Sequence, residues 1–226
     1  MYILGIGYAS FDDTILNIAS TPLGGSGTGN GDFIGGQVYT LRSASFLDVP
    51  TSYWSWSWIE RIYAAGITAG CGNSNYCPDA TVTRAQMAVF LLKGKHGGSY
   101  VPPAATGTLF TDVPASNPFA KWIEQLANES ITAGCGNGSY CPDAAVTRAQ
   151  MAVFLLKSKH GLGYVPPAAT GTLFTDVPAS DPFAKWIEQL ANEGISAGCG
   201  NGNFCPEVPV TRAQMAVFLV KAFNLP

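Results

Sequence analysis

Ala133–Phe154 reads AGCGNGSYCPDAAVTRAQMAVF, and the chain carries this stretch three times. Ala69–Phe90 is AGCGNSNYCPDATVTRAQMAVF and Ala197–Phe218 is AGCGNGNFCPEVPVTRAQMAVF. Upstream, Phe46, Phe110 and Phe174 open the segments FLDV, FTDV and FTDV. Trp58, Trp122 and Trp186 keep the same 64-residue step, as do Cys71, Cys135 and Cys199. A sequence repeat folds as one supersecondary unit and buries its apolar face against its neighbours. A unit of this size has a marginal core by itself, so three units sharing one core are expected. The repeats divide the chain into 46–109, 110–173 and 174–226, preceded by a non-repeating segment, 1–45.

Within the middle repeat, Phe119, Trp122, Ile123, Leu126 and Ala127 fall at i, i+3, i+4, i+7 and i+8. That spacing predicts an amphipathic helix from Pro118 to Glu129, with Lys121, Glu124 and Gln125 on the exposed face. The glycine-rich turn ITAGCGNG then leads to Pro142. Thr147-Arg148-Ala149-Gln150 has the form of a capping box, in which threonine and glutamine satisfy each other's backbone N–H groups. It predicts a second helix with Met151, Phe154 and Leu155 inward and Lys157 and Lys159 outward, ending at His160-Gly161. His96 and His160 in the last turn read as C-terminal caps. GGSYVPPAATGTL (97–109) and GLGYVPPAATGTL (161–173) read as extended surface connectors pinned by Tyr100 and Tyr164.

Charged residues make up 12% of the chain and apolar residues 47%, a globular rather than a disordered balance. A net charge of −3 offers no basic footprint for nucleic acid. No apolar run is long enough to form a transmembrane helix. Six cysteines fall as Cys71/Cys77, Cys135/Cys141 and Cys199/Cys205, one pair per repeat. Even numbers at fixed local spacing point to disulfides and an oxidising, extracellular compartment. Metal is the rival reading; CxxC is absent and no histidine lies inside the cysteine loops. MYILGIGYAS has neither a basic start nor a cleavage region, so the sequence reads as a mature or trimmed chain. Tyr2–Tyr8, Thr14–Ala19 and Phe33–Leu41 look like strands, separated by the glycine loop TPLGGSGTGNGD. The segment 1–45 is therefore a β-rich arm that pairs with another chain, or the end of an upstream β domain.

The pattern resembles the S-layer homology domain. In that family FxDV precedes an amphipathic helix, a glycine loop ending in proline, and TRAE at the start of a second helix. Here Phe110-Thr111-Asp112-Val113, then Gly134, Gly138, Tyr140 and Pro142, then Thr147-Arg148-Ala149-Gln150 stand in that order, and the other two repeats follow suit. The resemblance implies a mainly α fold of three helix–loop–helix repeats around a pseudo-threefold axis. It also implies grooves between neighbouring repeats that anchor exported proteins to cell-wall polysaccharide, often a pyruvylated one. Gln86, Gln150 and Gln214 replace the usual glutamate, and the cysteines are outside the family pattern.

Candidate binding residues follow from chemistry. Arg84, Arg148 and Arg212 present a planar fork suited to a carboxylate, beside helix N–H groups that favour anions. Asp48, Asp112 and Asp176 stand with the arginines as candidate carbohydrate-binding residues; the bland alternative pairs each arginine with one of these aspartates. Trp54 and Trp56 join Trp58 in Tyr53-Trp54-Ser55-Trp56-Ser57-Trp58, where three indoles cannot all face inward, so one is available for stacking on sugar. Trp58, Trp122 and Trp186 themselves are explained by helical core spacing. GxSxG, HExxH and the P-loop are absent, so no enzyme, cofactor or metal site is expected. Two functions compete: a cell-surface module anchored to envelope polysaccharide, and a self-associating subunit of a surface layer or extracellular filament.

Overall fold

The computed structural model describes residues 43–226; the strands expected within 1–45 lie outside the described residues. Six helices follow in order: α1 Trp56–Ala64, α2 Arg84–His96, α3 Ala120–Asn128, α4 Arg148–His160, α5 Ala184–Asn192 and α6 Arg212–Phe223. Among the described residues the backbone otherwise pairs only through isolated bridges. The long helices α2, α4 and α6 pack on one another at the centre, while each short helix lies against a long helix of another repeat. Thus α3 packs on α2, α5 on α4, and α1 closes the ring on α6. Each packing unit therefore combines the second half of one sequence repeat with the first half of the next.

All three capping boxes form: Thr83, Thr147 and Thr211 accept from Gln86, Gln150 and Gln214 N–H, and each glutamine reaches back. The short helix begins at Ala120, two residues later than its apolar spacing suggests. Asn117 Oδ1 takes the Phe119 N–H at 2.9 Å and holds the preceding turn. Asp181 does the same for Phe183 at 2.7 Å.

The pseudo-threefold axis is written into the backbone. Val82 N–H donates to Val210 O, Val210 N–H to Val146 O, and Val146 N–H to Val82 O, at 2.9, 2.9 and 3.0 Å. All three valines are fully buried. This closed ring satisfies polar groups that would otherwise be stranded in the core. Around it the first N–H groups of each long helix are taken by a neighbouring loop: Arg84 by Ala144 O, Arg148 by Val208 O and Arg212 by Ala80 O. Those helix starts are consequently closed to anions, contrary to the expectation of free N–H groups there.

Glu124 and Glu188, expected on the exposed face, are buried. Their carboxylates accept from the backbone N–H groups of Thr106 and Gly107, and of Thr170 and Gly171, and so fasten the connectors. The connectors are also held by Tyr100, whose ring lies 4.5 Å from His96 and 6.3 Å from Trp122. His96 and His160 do more than cap a helix. His96 and Lys95 meet Glu129 at 2.8 and 2.7 Å, and His160 and Lys159 meet Glu193 at 2.8 Å each. These clamps join α2 to α3 and α4 to α5. At the ring closure Ala65 stands where Glu129 would be, and Arg61 instead donates to the carbonyls of Leu225 and Pro226.

Burial works against the charge on Glu124, Glu188, Glu129 and Glu193, but hydrogen bonds outweigh it and hold each carboxyl below its ordinary range. A depressed folded-state value means the contribution is complete above the unfolded glutamate value of about 4.3 and is lost as pH falls through the folded value. The urea midpoint is therefore expected to hold steady from pH 7 to 5 and to drop steeply between pH 4 and 2. A midpoint unchanged at pH 2.5 would count against the carboxylate clamps.

Candidate functional site

The site begins with the loop that each disulfide closes. Cys71–Cys77, Cys135–Cys141 and Cys199–Cys205 are bonded, with Cα atoms 6.0 Å apart in each. The second cysteine of each pair has a left-handed backbone, φ 58–60°, uncommon outside glycine. The aspartate of FxDV fixes that turn. Asp48 accepts from Tyr76 and Cys77 N–H at 2.7 Å each, Asp112 from Tyr140 and Cys141 at 2.7 Å each, and Asp176 from Phe204 and Cys205 at 2.8 and 2.7 Å. The aspartates therefore shape the loop. Among the described residues they form no contact ion pair with Arg84, Arg148 or Arg212; Asp112, Asp176 and Asp48 act on those arginines only through space.

Each bridge closes a loop of seven residues, and the chain-entropy account gives it about 2 kcal/mol. Intact mass without reductant is expected to fall six hydrogens short of the thiol form, and reduction should lower the melting temperature. A full complement of free thiols in protein isolated without reductant would refute the pairing.

The three arginines cross from one repeat to another. Arg84 Nε donates to Tyr140 O at 2.7 Å, Arg148 Nε to Phe204 O at 2.8 Å, and Arg212 Nε to Tyr76 O at 2.7 Å. Each guanidinium also sits over two aromatic rings: Tyr140 and Phe154, Phe204 and Phe218, Tyr76 and Phe90, at 4.6–5.7 Å from the centroids. Tyr140 and Tyr76 return a hydroxyl hydrogen bond to Arg84 O and Arg212 O at 2.8 Å. All three arginines are buried, and burial pulls each guanidinium below its ordinary value. Arginine nonetheless stays charged at any physiological pH.

Two grooves open onto these arginines. One, of about 380 Å³, has Arg212 at its floor, the Thr68–Cys71 loop on one side, Gln86 and Lys93 of α2 on another, and Phe119 of the next repeat as a wall. The other, of about 330 Å³, has Arg148, the Ser196–Cys199 loop, Gln214, Lys221 and Trp54. The equivalent positions around Arg84 are Thr132, Gln150, Lys157 and Phe183. The charged side chains lining each of the two grooves are one arginine and one lysine, with no carboxylate. Nη2 of Arg212 and of Arg84 is buried without a hydrogen-bond partner. Arg148 Nη2 donates to Ser196 Oγ at 3.3 Å. A buried, unpaired guanidinium N–H is costly, and an anionic oxygen placed in the groove would satisfy it.

Of the two tryptophans singled out in the sequence, Trp54 lines a groove and is 60% exposed. Trp56 starts α1 and packs half-buried against the core. Asp48, Asp112 and Asp176 are not among the lining residues of the two grooves. Sequence reasoning missed Lys93, Lys221 and Phe119 as groove residues. Their helical positions explain them as surface or core, and only the meeting of two repeats places them together.

The sequence pattern of the S-layer homology domain matches residues 45–88, 109–152 and 173–216, together more than half of the chain. A cell surface protein of Thermoanaerobacter kivui is 34% identical over 124 residues, which is 53% of this chain and 16% of that protein. A surface layer protein of Brevibacillus choshinensis is 30% identical over 108 residues, 48% of this chain and 9% of that protein. An exoglucanase of Acetivibrio thermocellus is 27% identical over 180 residues, 79% of this chain and 16% of the enzyme. The chain thus spans between 9% and 16% of the length of these relatives. With three matched repeats, three capped long helices and one closed ring, this chain belongs to the S-layer homology domain family.

Proposed function

We propose that the chain is a non-catalytic cell-surface module that holds an exported protein to envelope polysaccharide through acidic sugar groups bound in its inter-repeat grooves. The unpartnered Nη2 of Arg212, buried at the floor of a groove that Lys93 flanks, carries the reading. A carboxylate there would satisfy a stranded donor and be flanked by two cations. The relatives fit a module of this kind: the matched region recurs as a small share of a surface layer protein and of an exoglucanase. A region shared by proteins so different in name supports attachment in preference to chemistry.

The test is titration of the purified chain with polysaccharide from the envelope of the producing organism. Lys93 Nζ donates to Gly66 O at 3.0 Å in an exposed position, so Lys93→Gln gives up about 1 kcal/mol of stability at most; it is expected to weaken binding about tenfold, roughly 1.4 kcal/mol, with the fold intact. Binding should also weaken as salt rises. Absence of binding to any envelope glycan would end the proposal.

A further inference from the structure

We infer that the two grooves are not equivalent: the Trp54 groove holds the face of a sugar ring, while the Arg212 groove takes the acidic group of the same glycan. The inference rests on the glycan reading above and adds a division of labour to it. The wall residue moves between repeats. Phe119 is the N-cap of α3, half-buried, and belongs to the Arg212 groove. Its equivalent in the first repeat is Ser55, a fully buried N-cap. The aromatic wall there shifts one residue earlier, to Trp54, and the shift turns the ring outward, leaving it 60% exposed beside Arg148, Gln214 and Lys221.

Trp54 is also a backed platform. The Tyr53 ring lies behind it, with centroids 6.1 Å apart and planes inclined by 34°. Tyr53 is itself fixed by its hydroxyl, which donates to Asp79 at 2.7 Å. An exposed indole held in place is suited to the C–H face of a pyranose, because that contact needs area and orientation and no charge. The donor pattern agrees. Arg148 Nη2 is already engaged by Ser196, whereas Arg212 Nη2, across the same position of its groove, has no partner. The groove with the larger exposed aromatic is thus the one without a stranded donor.

The experiment uses the whole chain and one glycan in two forms: envelope polysaccharide of the producing organism, native and with its carboxyl groups reduced to alcohols. Trp54→Ala is expected to weaken binding about tenfold to both forms, and Trp54→Phe to restore most of it. Lys93→Gln is expected to weaken binding to the native form by a clearly larger factor than binding to the reduced form. An unchanged melting temperature for Trp54→Ala would show that its loss is not unfolding. Wild-type affinity of Trp54→Ala for both forms, or a loss confined to the native form, would overturn the division of labour while leaving glycan binding intact. If the wild-type chain bound neither form, the proposed function would fail and this inference with it.

Discussion

Arg212→Ala is expected to lower the unfolding free energy by about 3 kcal/mol, the sum of two losses. The first is a buried hydrogen bond. Tyr76 O would lose the Nε donor now 2.7 Å away, and an unsatisfied buried carbonyl costs roughly 1–3 kcal/mol. The second is the stacked guanidinium, 4.6 Å from the Tyr76 ring and 5.4 Å from Phe90, a desolvated cation–π contact of about 1–2 kcal/mol. Removing a buried charge returns part of this, because burial already disfavours the charged form. For a domain of this size about 3 kcal/mol corresponds to a melting temperature lower by roughly 6–12 °C. The consequence for function is direct. Alanine at Arg84, Arg148 or Arg212 weakens the ties between repeats, so reduced glycan binding by such variants would not isolate a ligand contact. Lys93→Gln acts in the same groove and leaves the arginine ties between repeats in place, giving up only an exposed hydrogen bond to Gly66 O. A melting temperature for Arg212→Ala within 2 °C of the parent would refute a structural role of this size for Arg212.

The helices were legible in the sequence because their signals are local. Thr147 and Gln150 stand three residues apart and need only each other, so the start of α4 and its end at His160-Gly161 follow directly. The inward set Met151, Phe154 and Leu155 is likewise a property of one helix. The site was less legible because its contacts join residues 56 or 136 positions apart, as Arg84 with Tyr140 and Arg212 with Tyr76. A repeat with a constant step announces equal copies. It does not say that α3 will pack on α2 of the preceding copy, and the grooves exist only because it does. Glu124 shows the same limit on a smaller scale. Its place on the helix faces away from the core, and the connector that covers it supplies donors at Thr106 and Gly107 that a helical projection does not contain. His96 reads as a cap from its own helix and acts as a bridge because Glu129 arrives from the next repeat.

Gly134→Ala is expected to cost about 4 kcal/mol, at the upper end for a single methyl group. Gly134 has φ +91°, and a Cβ there would lie 2.4 Å from Ser139 O and 3.0 Å from Phe110 Cε1. The Ser139 carbonyl cannot yield, because it accepts the Cys135 N–H at 2.8 Å inside the loop that Cys135–Cys141 closes. Phe110 cannot yield easily either, being buried against Tyr140, the ring on which Arg84 rests. The methyl group must push the disulfide loop and the arginine platform apart. Gly136, two residues on, separates this effect from backbone strain. Its φ is +112°, yet an added Cβ meets nothing within 4 Å. Gly136→Ala should therefore cost only the conformational penalty, about 1–2 kcal/mol. Urea unfolding of the two variants measures the difference. A gap of about 2 kcal/mol or more assigns Gly134 to close packing of the groove loop against the FxDV phenylalanine. Equal losses would mean that the loop moves freely enough to admit a methyl group, against a fixed Tyr140 platform under Arg84.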